Sequence, residues 1–246
     1  MLKVVQATTA DKKDWNEFLS LSNSISHHAY RWEWSEIIEK TFKHTAHYFL
    51  VKDSKDSIQG ILPLFHVKSI LFGSALISVP YLNAGGIIAS TKEAFDLLLE
   101  HADKLKNDLN VKYCELRHTS EQSWYPQSAT LRTHKISMLL EINNTAEEIF
   151  SSFKPKLRSQ IRRPSKSGIT SMIQSGDDNF QKSLNGFYNV FSNHMRDLGT
   201  PVFPKSLFDN ACRAFEGNAK IITAWHLKEC VAAGITIESD KRVEIP

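Results

Sequence analysis

Six cationic side chains fall within the thirteen residues KPKLRSQIRRPSK, Lys154 to Lys166, and no acidic residue occurs from Ile149 to Gly176. Cations at that density, with no carboxylate beside them, suit phosphate: each guanidinium presents a planar fork that matches two phosphate oxygens. Pro155 fits the first turn of a helix, and Pro164 should end or kink it. On that helix Leu157 and Ile161, four apart, share a face expected to dock it, while Arg158 and Arg162 form an adjacent stripe. Lys166 extends the cationic line only if the helix runs past Pro164. A solvated basic connector would have the same composition. The residues alone leave both readings open.

Two other stretches could do chemistry. Pro80-Tyr81-Leu82-Asn83-Ala84-Gly85-Gly86 follows an apolar run; its glycines allow close backbone approach, and Tyr81 and Asn83 offer hydrogen-bonding tips. The bland reading is a turn. His194-Met195-Arg196-Asp197-Leu198-Gly199-Thr200-Pro201 contains Arg196-x-x-Gly199, a near miss to the loop that binds acyl-CoA pyrophosphate. That loop opens a helix so that free N–H groups face the phosphates. Here the stretch closes one, with Gly199 placed as the residue just past the helix end. His44 and His47 form an HxxH spacing without carboxylates or cysteines nearby, which suits strand decoration better than a metal. HExxH, paired CxxC, GxSxG and P-loop signatures do not occur, and no metal is expected.

The totals narrow the class. A chain of 246 residues, 41% hydrophobic and 23% charged, is ordinary for a globular protein. It has no apolar run of about eighteen residues, the length that would span a membrane. Cys114, Cys212 and Cys230 are well separated, as expected for a reducing, cytoplasmic setting. Charges balance in residues 1–144, so the net charge of +3 arises in residues 145–246. Basic character is therefore localised, which favours one phosphate-binding feature over a polyanion-coating surface.

The elements that must position these stretches follow from periodicity. Lys3–Gln6 reads as a strand, followed by a helix capped at Thr9-Ala10-Asp11 and a second from Tyr30 to Phe42. A hairpin joins His47–Lys52 to Ile58–His66, and Ala75–Pro80 is a third apolar strand. Ala94, Leu97, Leu98, Ala102, Leu105 and Leu109 trace a helical stripe. Val111–Leu116 and Ser137–Ile142 look like strands. After Thr145 the order restarts: a helix over Ala146–Phe153, the basic helix, a strand at Thr170–Gln174, a long helix with its stripe from Leu184 to Leu198, and a short helix at Ser206–Phe215. Strands at Lys220–Leu227 and Val231–Glu238 follow. The fold class is α/β (α+β): mixed, mostly antiparallel sheets covered by helices. Two related lobes are expected, 1–144 and 145–246, the second incomplete at its C-terminal side, so that the chain reads as a piece of a longer protein.

In their order and spacing, PYLNAGG, FKPKLRSQIRRPSKSG and FYNVFSNHMRDLGTPVFPKSLF resemble the FemAB-like acyltransferases, in the branch associated with exosortase and exopolysaccharide systems. The resemblance spans nearly the whole chain and implies twin GNAT-like lobes. It further implies N-acyltransfer: an acceptor amine, on a cell-envelope, peptidoglycan or exopolysaccharide precursor, attacks the activated carbonyl of aminoacyl-tRNA or an acyl-CoA thioester. Such a donor places phosphates beside Arg158, Arg162 and Lys166, and Tyr81, Asn83 and Arg196 become expected acceptor or oxyanion contacts. No residue stands out as the general base. The rivals are a nucleic-acid-binding protein using residues 154–166 and a non-catalytic scaffold in polysaccharide export.

Overall fold

The computed structural model describes residues 1–22, 28–69, 73–119, 123–133, 135–142, 144–176, 179–239 and 242–246. They form a mixed α/β protein with two sheets, and the chain divides into two compact units. The first comprises residues 1–129, 204–219 and 237–246; the second comprises 130–203 and 220–236.

In the first unit, β1 (Lys3–Gln6), α1 (Lys12–Leu21), α2 (Glu33–Phe42), β2 (Thr45–Lys52), β3 (Ile58–Ser69), β4 (Gly73–Ile77), β5 (Ile88–Ala89), α3 (Lys92–Asp108) and β6 (Cys114–Glu115) follow in order. Their sheet runs β1-β2-β3-β4-β6, with β5 also on β3. The pairings are antiparallel except β4 with β6. The expected hairpin is present, with Phe49 opposite Leu62 and Leu50 opposite Ile61. Alternation along β2 feeds both faces. Phe49 and Val51 join Leu62, Leu64 and the Ala94, Phe95, Leu98, Ala102 stripe of α3 in one core. Tyr48 turns the other way, stacked on Trp15 at 4.8 Å and edge-on to Trp32 at 5.1 Å. A strand buried on both faces has no polar side to show, which is why β2 and β3 read as near-continuous apolar runs. Thr91 caps α3 by accepting from the Ala94 N–H at 3.2 Å. The same unit holds α7 (Lys205–Ala214), where Asn210 Nδ2 donates to Thr41 Oγ1 at 3.1 Å, and β10 (Arg242–Glu244).

The second unit contains α4 (Ala146–Ser152), α5 (Pro155–Lys166), β7 (Ile169–Gln174), α6 (Phe180–Asp197), most of β8 (Ala219–His226) and the first part of β9 (Glu229–Ser239). Strand order in this second sheet is β10-β9-β8-β7. A reciprocal Thr145–Glu148 capping box starts α4. Phe180, Leu184 and Phe187 bury the inner face of α6.

Three expectations are corrected here. Ser137–Ile142 forms no strand; it is irregular, with Met138 95% and Leu139 75% exposed. Its apolar residues find no ladder partner among the described residues, and without pairing, propensity alone does not hold a strand. Pro164 does not stop α5, which continues to Lys166. Proline removes one helical N–H, and on a helix with no buried residue water can satisfy the orphaned carbonyl. Finally, Leu157 and Ile161 do not dock α5: they are 41% and 47% exposed.

Candidate active site

The segment after β4 is held in an unusual backbone. Val79, β-branched and fully buried, has φ 44°, and Tyr81 has φ 72°. Such values are rare for non-glycine residues and persist only where surroundings enforce them. The enforcement comes from behind. The Tyr30 hydroxyl donates to the Gly85 carbonyl, and Arg117 Nη1 donates to the Leu82 carbonyl at 2.8 Å. The Ile87 N–H donates to His118 Nε2 at 3.2 Å, and the Arg117 N–H donates to Ser78 Oγ at 2.9 Å. Glu115 holds the Arg117 Nε at 2.6 Å.

Glycine is required here for contact within the protein. A Cβ on Gly86, φ 106°, would stand 2.5 Å from His118 Nε2. His118 is packed edge-on to Tyr125 at 5.3 Å, and burial pushes its pKa down to about 4. It is therefore a neutral acceptor for Ile87.

A pH prediction follows from its sign. The unfolded histidine takes a proton near 6.5, the folded one only near 4. Stability is thus complete above pH 6.5 and is lost as pH falls towards 4, by on the order of 3 kcal/mol for this residue. Burial lowers His44, His47, His66 and His101 as well, which adds loss of the same sign. Urea midpoints measured from pH 7 to 4 should fall steeply. His118→Gln, which keeps an acceptor, should flatten the fall, and an unchanged slope would refute the assignment.

In front of this frame stands Tyr81, half-buried and stacked on Phe42 at 3.9 Å between ring centroids. Its hydroxyl lies 2.6 Å from His44 Nε2. His44 is placed by the end of α2: Lys43 takes the left-handed conformation, φ 60°, with its N–H on the Glu39 carbonyl, and β2 begins one residue later. Burial and the nearby His66 lower the His44 pKa, while burial raises that of Tyr81. At neutral pH the pair is thus an uncharged imidazole beside a protonated phenol. With the imidazole proton on Nδ1, the phenol donates to Nε2. In that tautomer the pair is a hydroxyl with a proton acceptor attached.

Of the residues singled out by sequence, Tyr81 and Asn83 lie on this loop, Asn83 exposed. Arg158, Arg162, Lys166 and Arg196 belong to the second unit. Arg162 sits over the Phe150 ring at 4.8 Å, and Arg196 pairs with its neighbour Asp197 at 3.0 Å. The Arg196-x-x-Gly199 stretch is a helix stop, as its residue types indicate. Gly199, φ 65°, donates to the Arg196 carbonyl and Thr200 to the Met195 carbonyl, each at 3.0 Å. Those N–H groups are consumed and cannot face a pyrophosphate. His44 is the residue that sequence reading passed over. The signal was its HxxH spacing, read as decoration, whereas its partner is a tyrosine 37 positions away. Among the described residues no group of three or more His, Cys, Asp or Glu is arranged for a metal, and no helix is long and apolar enough to cross a membrane.

No family model and no curated protein matches the chain. Among solved structures, the chain is similar to a GNAT family acetyltransferase of Staphylococcus aureus subsp. aureus USA300_TCH1516, with 14% identity and a TM-score of 0.37 over 56% of this chain and 98% of that one. It is also similar to a protein described as "a probable acetyltransferase", with 16% identity and a TM-score of 0.35 over 58% and 99% of the two chains.

Proposed function

We propose that the protein is an acyl or aminoacyl transferase whose acceptor amine is received at the Val79–Gly86 loop, with Tyr81 and His44 as its proton-handling pair. The observation that carries this reading is the 2.6 Å contact between the Tyr81 hydroxyl and a neutral, half-buried His44 on a backbone fixed from behind. Sequence resemblance supplies the reaction class, and the pair supplies the base that sequence did not reveal. The amine nitrogen attacks the donor carbonyl, forming the new C–N bond and a tetrahedral oxyanion. The nitrogen's excess proton passes to the Tyr81 oxygen as the phenol proton moves to His44 Nε2. Collapse of the oxyanion breaks the bond to the leaving group, a thiolate or a ribose oxygen, which takes up the proton held on His44 and so returns the pair to its neutral state. Positioning and base catalysis together account for such a site without a metal or a covalent intermediate. Asn83, exposed on the same loop, is proposed to contact the acceptor.

The donor class is an acyl-CoA thioester or aminoacyl-tRNA, and the acceptor an amine on an envelope or polysaccharide precursor. The test is a mass-spectrometric screen of both donor classes against amine acceptors. A transferred acyl group that depends on His44 and Tyr81 supports the reading; transfer that ignores both residues, or none at all with either donor class, overturns it.

A further inference from the structure

The exposed stripe of α5 calls for a partner that takes apolar and cationic side chains together. At 100° per residue, Leu157, Ile161 and Pro164 fall on one line of the helix. Arg158 and Arg162 flank that line on one side, Lys156 and Arg163 on the other. All three residues of the line are exposed, Leu157 by 41% and Ile161 by 47%. Arg162 stands over the Phe150 ring, so α4 braces one flank. No carboxylate lies in the sequence from Ile149 to Gly176 to neutralise the cations. Further along the same unit, Ile136, Met138, Leu139 and Leu140 are exposed by 90%, 95%, 75% and 68%.

Phosphates alone would satisfy the cations and leave Leu157 and Ile161 in water. A nucleic-acid backbone or the pyrophosphate of a free donor has that shortcoming. A layer of anionic lipid headgroups over hydrocarbon does not, because it meets charge at the depth of the flanks and apolar surface beneath the stripe. We propose that α5 is an interfacial helix that lays its Leu157–Ile161–Pro164 line into an anionic bilayer surface, with Lys156, Arg158, Arg162 and Arg163 at headgroup level.

The experiment is co-sedimentation of the full chain with phosphatidylcholine vesicles, with and without phosphatidylglycerol, alongside binding of tRNA and of acyl-CoA. The chain should sediment with the anionic vesicles only. Each flank cation changed to Gln should weaken the partition roughly fivefold, since one basic residue near such a surface contributes about 1 kcal/mol. Leu157→Gln with Ile161→Gln keeps every charge, and because both side chains are exposed the fold should melt as the parent does. That variant should lose about tenfold in vesicle binding while any tRNA or acyl-CoA binding stays unchanged. Vesicle binding indifferent to the Gln pair would overturn the proposal, leaving a charge-only patch. So would binding to tRNA or acyl-CoA with no vesicle binding, which would return Arg158, Arg162 and Lys166 to the donor.

Discussion

His44→Ala should lower turnover by roughly a hundred- to ten-thousandfold, the range that a positioned general base supplies. The chain should remain folded, because His44 is half-buried at a helix–strand junction and outside the packed cores. Tyr81→Phe keeps the ring stacked on Phe42 and removes only the hydroxyl, and it should cost a similar factor. Groups that act as one unit are not additive, so the double variant should be little worse than either single one. In the parent, activity should fall on acidification with a midpoint below the ordinary histidine value of 6.5, since burial lowers the His44 pKa. That limb should vanish in His44→Ala. A variant that melts like the parent and turns over at the parental rate would exclude His44 from the chemistry.

The second large effect is on stability. Gly86→Ala forces an L-residue to φ 106° and drives its methyl to 2.5 Å from His118 Nε2. The backbone conformation alone costs on the order of 1–3 kcal/mol, and crowding a packed ring adds about 1–3 kcal/mol more. For a chain of this size such a sum lowers the melting temperature by roughly 5–15 °C. Adding His118→Ala should recover the crowding part and not the backbone part, so the two substitutions should couple. A Gly86→Ala protein melting within a degree of the parent would contradict the described loop.

Periodicity made most of the first unit legible. Ala94, Leu98 and Ala102 face the core because a 3.6-residue period leaves no other arrangement, and the β2–β3 hairpin announces itself through DSKDS between two apolar runs. Such signals are local. Ser137–Ile142 has the residues of a strand, but a strand needs a neighbour to bond, and sequence names no neighbour. Leu157 and Ile161 failed as docking residues for a related reason: spacing shows that two side chains share a face, not what that face meets. At the candidate site, the place of Tyr81 on a glycine-rich loop was legible from the sequence. The His44–Tyr81 pairing was not, because it rests on a contact between residues 37 positions apart and on burial that lowers the His44 pKa. The glycines themselves were seen, but not that Gly85 and Gly86 leave the space taken by Ser78 and His118.

The first unit is assembled from three separate pieces of chain, 1–129, 204–219 and 237–246. During synthesis, β1 through β6 therefore emerge long before the segments that finish their surroundings. Until Phe215 arrives, Trp34 lacks the ring that packs 5.4 Å from it, and until Glu244 arrives, His28 Nε2 lacks the carboxylate 3.3 Å away. Closing a loop of that length costs chain entropy before any contact repays it. A nascent chain halted after α3 would thus leave Trp34 of α2 without a ring that packs against it in the finished molecule.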